Sequence, residues 1–155
     1  MTRNAFCMAD SIEILPADWR DWPGVRTLEK ACFGRDAWGC LDLLLALTGP
    51  SNFRLKVVAG KRLVGFAMGD PHPAEGYAWI ATLGIDPQFQ RQGLGARLLA
   101  ALESGLTPPL LKLTVRQSNL PAIQLYERAG YKPVQTWENY YAGGEAGIVM
   151  EKLRA

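Results

Sequence analysis

The sequence predicts a mixed α/β fold of the α+β kind: a mostly antiparallel sheet of roughly six to seven strands with about four helices packed on it. Three observations point there. Residues 53–59 and 62–68 are strand-like runs joined by Gly60 and Lys61, the two-residue connection of a hairpin. Residues 77–85 are apolar at both parities, as a strand covered on both faces must be. Residues 93–106 place Leu94, Leu98, Leu99 and Leu102 on one helical face, and Gly105 with Pro108 and Pro109 closes that helix.

The remaining elements follow in order. Ile12, Ile14 and Pro16 suggest a short first strand, and residues 17–33 read as one or two helical turns interrupted by Pro23 and Gly24. Leu41, Leu44, Leu45 and Leu47 recur at helical spacing after Asp36 and Trp38, and Gly49 with Pro50 ends that helix. Asp86 and Pro87 close the central strand at 77–85, and residues 110–115 form another buried strand. Asn119 is placed to cap a helix with Pro121 in its first turn, which runs through Tyr126 to a left-handed terminator at Gly130. Strands near 131–137 and 147–153 complete the chain. With no internal repeat or linker, residues 1–155 are expected to form one domain.

Composition excludes several classes. The net charge of +2 comes from 17 basic and 15 acidic residues that are scattered rather than blocked, so neither nucleic acid nor a membrane surface is expected as a partner. Cys7, Cys32 and Cys40 are odd in number and lack CxxC spacing, so three free thiols and no metal are expected. His72, flanked by Pro71 and Pro73, is the only histidine available to activate a nucleophilic Cys. Asp10 and Glu13 follow Met1 closely, and no apolar run suits a leader or a membrane span. A cytoplasmic protein is the expectation.

Gln90, Arg91, Gln92, Gly93, Leu94 and Gly95 lie between a buried strand and an amphipathic helix, where unpaired amides and the positive helix end can hold an anion. Glycines at 93 and 95 permit unusual dihedrals and close approach. Arg91 and Arg97 can add charge-assisted contacts or simply face solvent. By itself the pattern serves an anion cradle and an ordinary helix start about equally well. Neither Gly-Lys-Ser/Thr nor G-x-G-x-x-G is present, so the common nucleotide-binding motifs do not apply.

Residues 83–95, Leu-Gly-Ile-Asp-Pro through Gly95, resemble the coenzyme A loop of the GNAT N-acetyltransferase superfamily, whose pattern is Q/R-x-x-G-x-G/A after a strand ending in Asp-Pro. The second half is similar to the bacterial ribosomal-protein alanine N-acetyltransferases, matching them at Val115 to Asn119, Ala122-Ile123, Leu125-Tyr126-Glu127, Gly130-Tyr131 and Asn139-Tyr140-Tyr141. Ala31-Cys32-Phe33, Trp38 and Leu63-Val64-Gly65 extend the resemblance to about residues 28–150. It implies a sheet splayed between its two middle strands, with the slot taking acetyl-coenzyme A as co-substrate. Leu83 and Ile85 would offer backbone groups to the pantetheine arm, and the backbone of Gln90, Arg91, Gln92, Gly93, Leu94, Gly95 and Ala96 would hold the diphosphate. Asn119 would contact the arm near its thiol, and Tyr126 would act as general acid for the departing thiolate. Tyr140, Tyr141 and, from the opposite side, Trp38 are the implied acceptor contacts.

One departure from the family matters. The subfamily carries its general base as the Glu of a Glu-Val-Arg triplet, where this chain has Thr114-Val115-Arg116. Asp70, His72 and Glu75 precede the central strand and read as solvated loop residues, which leaves the base unassigned. Without that Glu, a low-pKa acceptor is favoured. An α-amine near pKa 7.8 is neutral about once in seven at pH 7, a Lys near 10.4 only about once in 2,500. The expected acceptor is therefore a peptide or protein N-terminus, with the protein a monomer or homodimer. A small-molecule amine and a coenzyme-binding module without turnover stay open as alternatives.

Overall fold

A computed structural model describes residues 11–155. The predicted free thiol at Cys7 lies outside the described residues. Seven strands, β1 (Ile12–Pro16), β2 (Phe53–Ala59), β3 (Arg62–His72), β4 (Tyr77–Ile85), β5 (Leu110–Arg116), β6 (Lys132–Trp137) and β7 (Gly147–Leu153), form one sheet in the order β1-β2-β3-β4-β5-β7-β6. Only β4 and β5 run parallel; every other neighbouring pair is antiparallel. Four α-helices, α1 (Trp22–Phe33), α2 (Cys40–Thr48), α3 (Leu94–Gly105) and α4 (Leu120–Arg128), cover the two faces.

The strand period of two divides the core. Along β3, Ala67 joins the α3 face with Leu94, Leu98, Leu99 and Leu102, whereas Phe66 and Met68 join the α1–α2 face with Val25, Leu28, Leu43 and Leu47; Val64, skipped where the β2–β3 register shifts, breaks the alternation and also joins the α3 face. Burying a side chain of this size stabilises by roughly 1.5–3 kcal/mol, so the two layers together clamp the sheet. The left-handed φ of 60° at Gly60 permits the tight turn between β2 and β3.

Two expectations are corrected. The helix at 22–33 is continuous rather than broken at Pro23 and Gly24. Pro23 falls in the first turn, where its missing N–H removes no hydrogen bond, and Gly24 follows it in the same turn, packed toward Leu63. A 3₁₀ turn at Trp19–Asp21, closed by reciprocal side-chain caps from Asp18 and Asp21, leads into it. β3 does not stop at Met68 but runs on to His72, because a bulge between Met68 and Gly69 restores pairing with β4 past the Gly-Asp-Pro sequence. Asp70 and His72 are thus strand residues, while Glu75 is an exposed turn residue as expected.

Candidate functional site

The parallel pair β4–β5 creates the site by coming apart. Residues 77–79 pair with 110–112, after which β4 continues to Ile85 held only by β3, and β5 to Arg116 held only by β7. The facing edges of residues 80–85 and 113–116 lack each other as partners, so backbone polar groups there are open to a ligand. A cavity of about 200 Å³ occupies the gap, lined by Leu83, Leu113, Val115, Asn119, Ala122 and Tyr126 among others. This is the splayed slot that the resemblance implies.

At the end of β4 the chain turns into the loop that precedes α3. Arg91 (φ 62°) and Gly93 (φ 78°) both take left-handed backbone, separated by a single residue, and this curls the amides into a concave nest. Gly93 is the N-cap of α3 and no side chain caps that helix, so the first-turn amides stay free for an anion. Gly95, in the first turn of α3, faces α4, where a Cβ would reach the end of the Leu125 side chain at 3.4 Å, the edge of ordinary contact. The Gln90 side chain points inward, its Nε2 donating to the Ile85 carbonyl at 3.0 Å and so fastening the loop to β4. That carbonyl also accepts from the Cys32 thiol at 3.3 Å. Of the two arm contacts, Leu83 lines the cavity and Ile85 does not. Arg91, Gln92 and Ala96 are exposed.

Asn119 and Tyr126 both reach the cavity from α4. Asn119 caps that helix, its Oδ1 accepting from the Ala122 amide at 3.3 Å, so its orientation is fixed by the backbone it terminates. Tyr126 is buried with its ring edge-on to Tyr131, centroids 5.8 Å apart. Burial pushes its phenol up to about 12, so it holds its proton at neutral pH. Burial likewise pushes the Cys32 thiol up to about 11, with Glu29 adding to it, which makes that sulfur an inert lining group.

The cavity also contains a carboxylate that sequence reasoning missed. Glu29 of α1 is 3% exposed and accepts from the Thr82 hydroxyl at 2.7 Å through Oε1. Its Oε2 is the one buried side-chain oxygen among the described residues that finds no partner. Burial raises its carboxyl above the usual range, against the lowering effect of Thr82 and of the Trp38 amide, which lies near without forming a good hydrogen bond. A signal existed: Val25, Leu28 and Glu29 follow i, i+3, i+4 spacing, so the acid sits on the buried stripe of its helix.

The inner cavity opens into a larger cleft of about 740 Å³, and the two share Asp36, Trp38, Ile80, Ala81, Thr114 and Tyr141. Trp79, Trp137 and Tyr140 form its aromatic wall, with Trp137 centred 6.0 Å from Trp79 and 5.2 Å from Tyr140. Trp38, Tyr140 and Tyr141 thus converge as the resemblance implies. Tyr141 donates to the Thr114 carbonyl at 2.9 Å, and burial raises its phenol. Asp70 lines the outer cleft, and its partner is His72, at 3.0 Å.

Arg116 ties the walls together. Its guanidinium hydrogen-bonds Asp36, Glu145 and the Ala142 carbonyl, the last at 2.7 Å, and Asp36 in turn accepts from the Ala142 amide at 3.0 Å. Arg116 holds Asp36 below the usual carboxylate range; hydrogen bonds from Ser118, with Arg116 beside them, do the same for Glu145. The segment bearing Tyr140 and Tyr141 is thereby latched to the α1–α2 connection. Among the described residues no group of His, Cys, Asp and Glu is arranged to hold a metal, and no helix is long and apolar enough to cross a membrane.

The description of the acetyltransferase (GNAT) family matches residues 13–131, from β1 across the slot to the end of α4. The chain belongs to that family. The chain is 32% identical over 111 residues to the N-terminal acetyltransferase B complex catalytic subunit NAA20 of Arabidopsis thaliana; the match covers 66% of this chain and spans just under two thirds, 63%, of that relative's length. It is 34% identical over 119 residues to the N-alpha-acetyltransferase RimI of Mycobacterium tuberculosis, covering 74% of each. Its fold superposes on the crystal structure of the ribosomal-protein-S18-alanine N-acetyltransferase from Escherichia coli with a TM-score of 0.83 and 26% identity, covering 94% of this chain and 95% of that one.

Proposed function

We propose that this protein transfers the acetyl group of acetyl-coenzyme A to the α-amine of a peptide or protein N-terminus. The observation that carries the reading is the continuity of two spaces: a narrow slot where β4 and β5 separate, and an aromatic cleft that meets it at Thr114 and Tyr141. A slot of that shape suits an extended arm, and a broad cleft suits a few residues of peptide. The names of the two curated relatives agree with an α-amine acceptor.

When bound, acetyl-coenzyme A supplies an activated thioester. The free amides at the start of α3 and the nest at Arg91 and Gly93 would hold its diphosphate, and the unpaired β4 edge at Leu83 would hold the arm. Asn119, fixed by its capping bond, would orient the arm near the thioester. Tyr126, protonated at neutral pH, would give its proton to the departing thiolate. The latch at Arg116 would hold Tyr140 and Tyr141 against the incoming chain, which aligns the amine. We place this activity in the cytoplasm.

Two peptides in competition test the acceptor, one offering only a free α-amine and the other only a Lys amine. Mass spectrometry should find the α-amine product in large excess at pH 7. Faster labelling of Lys overturns the reading.

A further inference from the structure

A buried carboxylate with one oxygen unpaired is expensive to keep, because the desolvated oxygen gets no hydrogen bond in return. Packing does not require it. Thr82 needs one acceptor, which Oε1 supplies, and Oε2 is left over without a donor. The carboxylate stands instead in the wall of the cavity that also holds Tyr126 and Asn119. On β5, where the related enzymes carry a Glu, this chain has Thr114.

We infer that Glu29, acting through the Thr82 hydroxyl, is the acceptor for the proton that the attacking amine gives up. This rests on the acetyl-transfer reading above and supplies the base it lacks. As the amine nitrogen bonds to the thioester carbonyl carbon, its proton passes to Thr82 Oγ while the Thr82 proton passes along the 2.7 Å hydrogen bond to Glu29 Oε1. The carbon–sulfur bond then breaks and the thiolate takes the Tyr126 proton. Once product leaves, Glu29 gives up its proton and the Tyr126 phenolate takes one, by way of water in the opened cavity, so charge and protons balance over the cycle.

The surroundings suit that role. The ionisable groups that share the cavity with Glu29 are Cys32 on its own helix, Asp36 from the α1–α2 connection, Arg116 from β5, Tyr126 from α4 and Tyr141 from the β6–β7 segment. Among the described residues none of them hydrogen-bonds Glu29, and Arg116 is committed to Asp36 and Glu145. Its carboxylate is thus left without a cation to hold it ionised, and burial shifts it toward neutrality, where a base for an α-amine is most effective. Glu29 is a positioning and proton-accepting group behind Thr82, and Thr82 is the residue that would touch the amine.

Glu29→Gln and Thr82→Val test the relay separately and together, with acetyl-coenzyme A and an α-amine peptide. Each should lower kcat about a hundredfold and flatten the acidic limb of its pH profile, with coenzyme affinity and melting temperature near native. The double variant should be no slower than the worse single one, since both remove the same path. Glu29→Asp should recover part of the rate. A Glu29→Gln protein within threefold of native, or one slowed with its acidic limb intact, overturns the inference. If Glu29→Gln does not fold, Thr82→Val alone decides by the same two criteria. Native protein that binds acetyl-coenzyme A but acetylates no α-amine fails the acceptor reading first, and the inference falls with it.

Discussion

Substituting Gly93 by Ala isolates the backbone contribution to the proposed diphosphate cradle. Gly93 has φ of 78°, and a Cβ built on it meets nothing within 4 Å, so the cost of Ala is purely conformational. Holding an L-residue in left-handed backbone costs roughly 1–2 kcal/mol. Two places can absorb that cost. If the free loop keeps its conformation, the unliganded protein loses about 1–2 kcal/mol of stability and coenzyme affinity is unchanged. If the free loop relaxes, stability holds and the dissociation constant for acetyl-coenzyme A rises about five- to thirtyfold, because 1.4 kcal/mol is a factor of ten. Calorimetric titration together with urea unfolding measures both, and their sum should equal the conformational cost. Gly95→Ala is the internal control: it lies inside α3 with ordinary dihedrals, so Ala gains about 0.8–1 kcal/mol of helix propensity against a tolerable 3.4 Å contact with Leu125. Opposite signs are expected at the two glycines. A Gly93→Ala protein with native stability and native affinity would refute the cradle.

Two further outcomes follow from the same geometry. Tyr126→Phe keeps the edge-on packing with Tyr131 and removes only the proton donor, so kcat should fall a hundredfold or more with coenzyme affinity within twofold; a fall under threefold would dismiss Tyr126 as the acid. The Arg116 latch depends on Asp36 and Glu145 being ionised, and both carboxyls are held below their usual range. Their stabilising contribution is present above the unfolded carboxylate pKa and is lost as pH falls through the lower folded values. Tryptophan fluorescence from the cleft should therefore change below about pH 4, and a transition centred above pH 5 would contradict this assignment.

Most of the strands and three of the four α-helices were legible because their signals are local. The parity of 77–85 and the stripe from Leu94 to Leu102 are burial patterns that neighbouring residues alone can write. The broken helix at Pro23 was misread because a breaker in the interior of a helix is harmless in its first turn, and only the position of the N-terminus decides between them. β3 was cut short for a similar reason: Gly69 and Pro71 look like an ending until a bulge and a partner strand show otherwise.

By itself the sequence determined the loop proposed to hold the coenzyme: glycines, an exposed loop and a helix start lie within six successive residues, so one short segment encodes its left-handed turns and open helix start. The proton-handling side was decided by tertiary structure. Glu29 meets Thr82 across 53 positions, and Arg116 meets Asp36 across 80. Which buried polar groups face each other depends on how helix and strand faces superpose, and no local period records that. The slot itself exists because β4 and β5 part after three paired positions, a consequence of whole-sheet geometry rather than of either strand's residues alone.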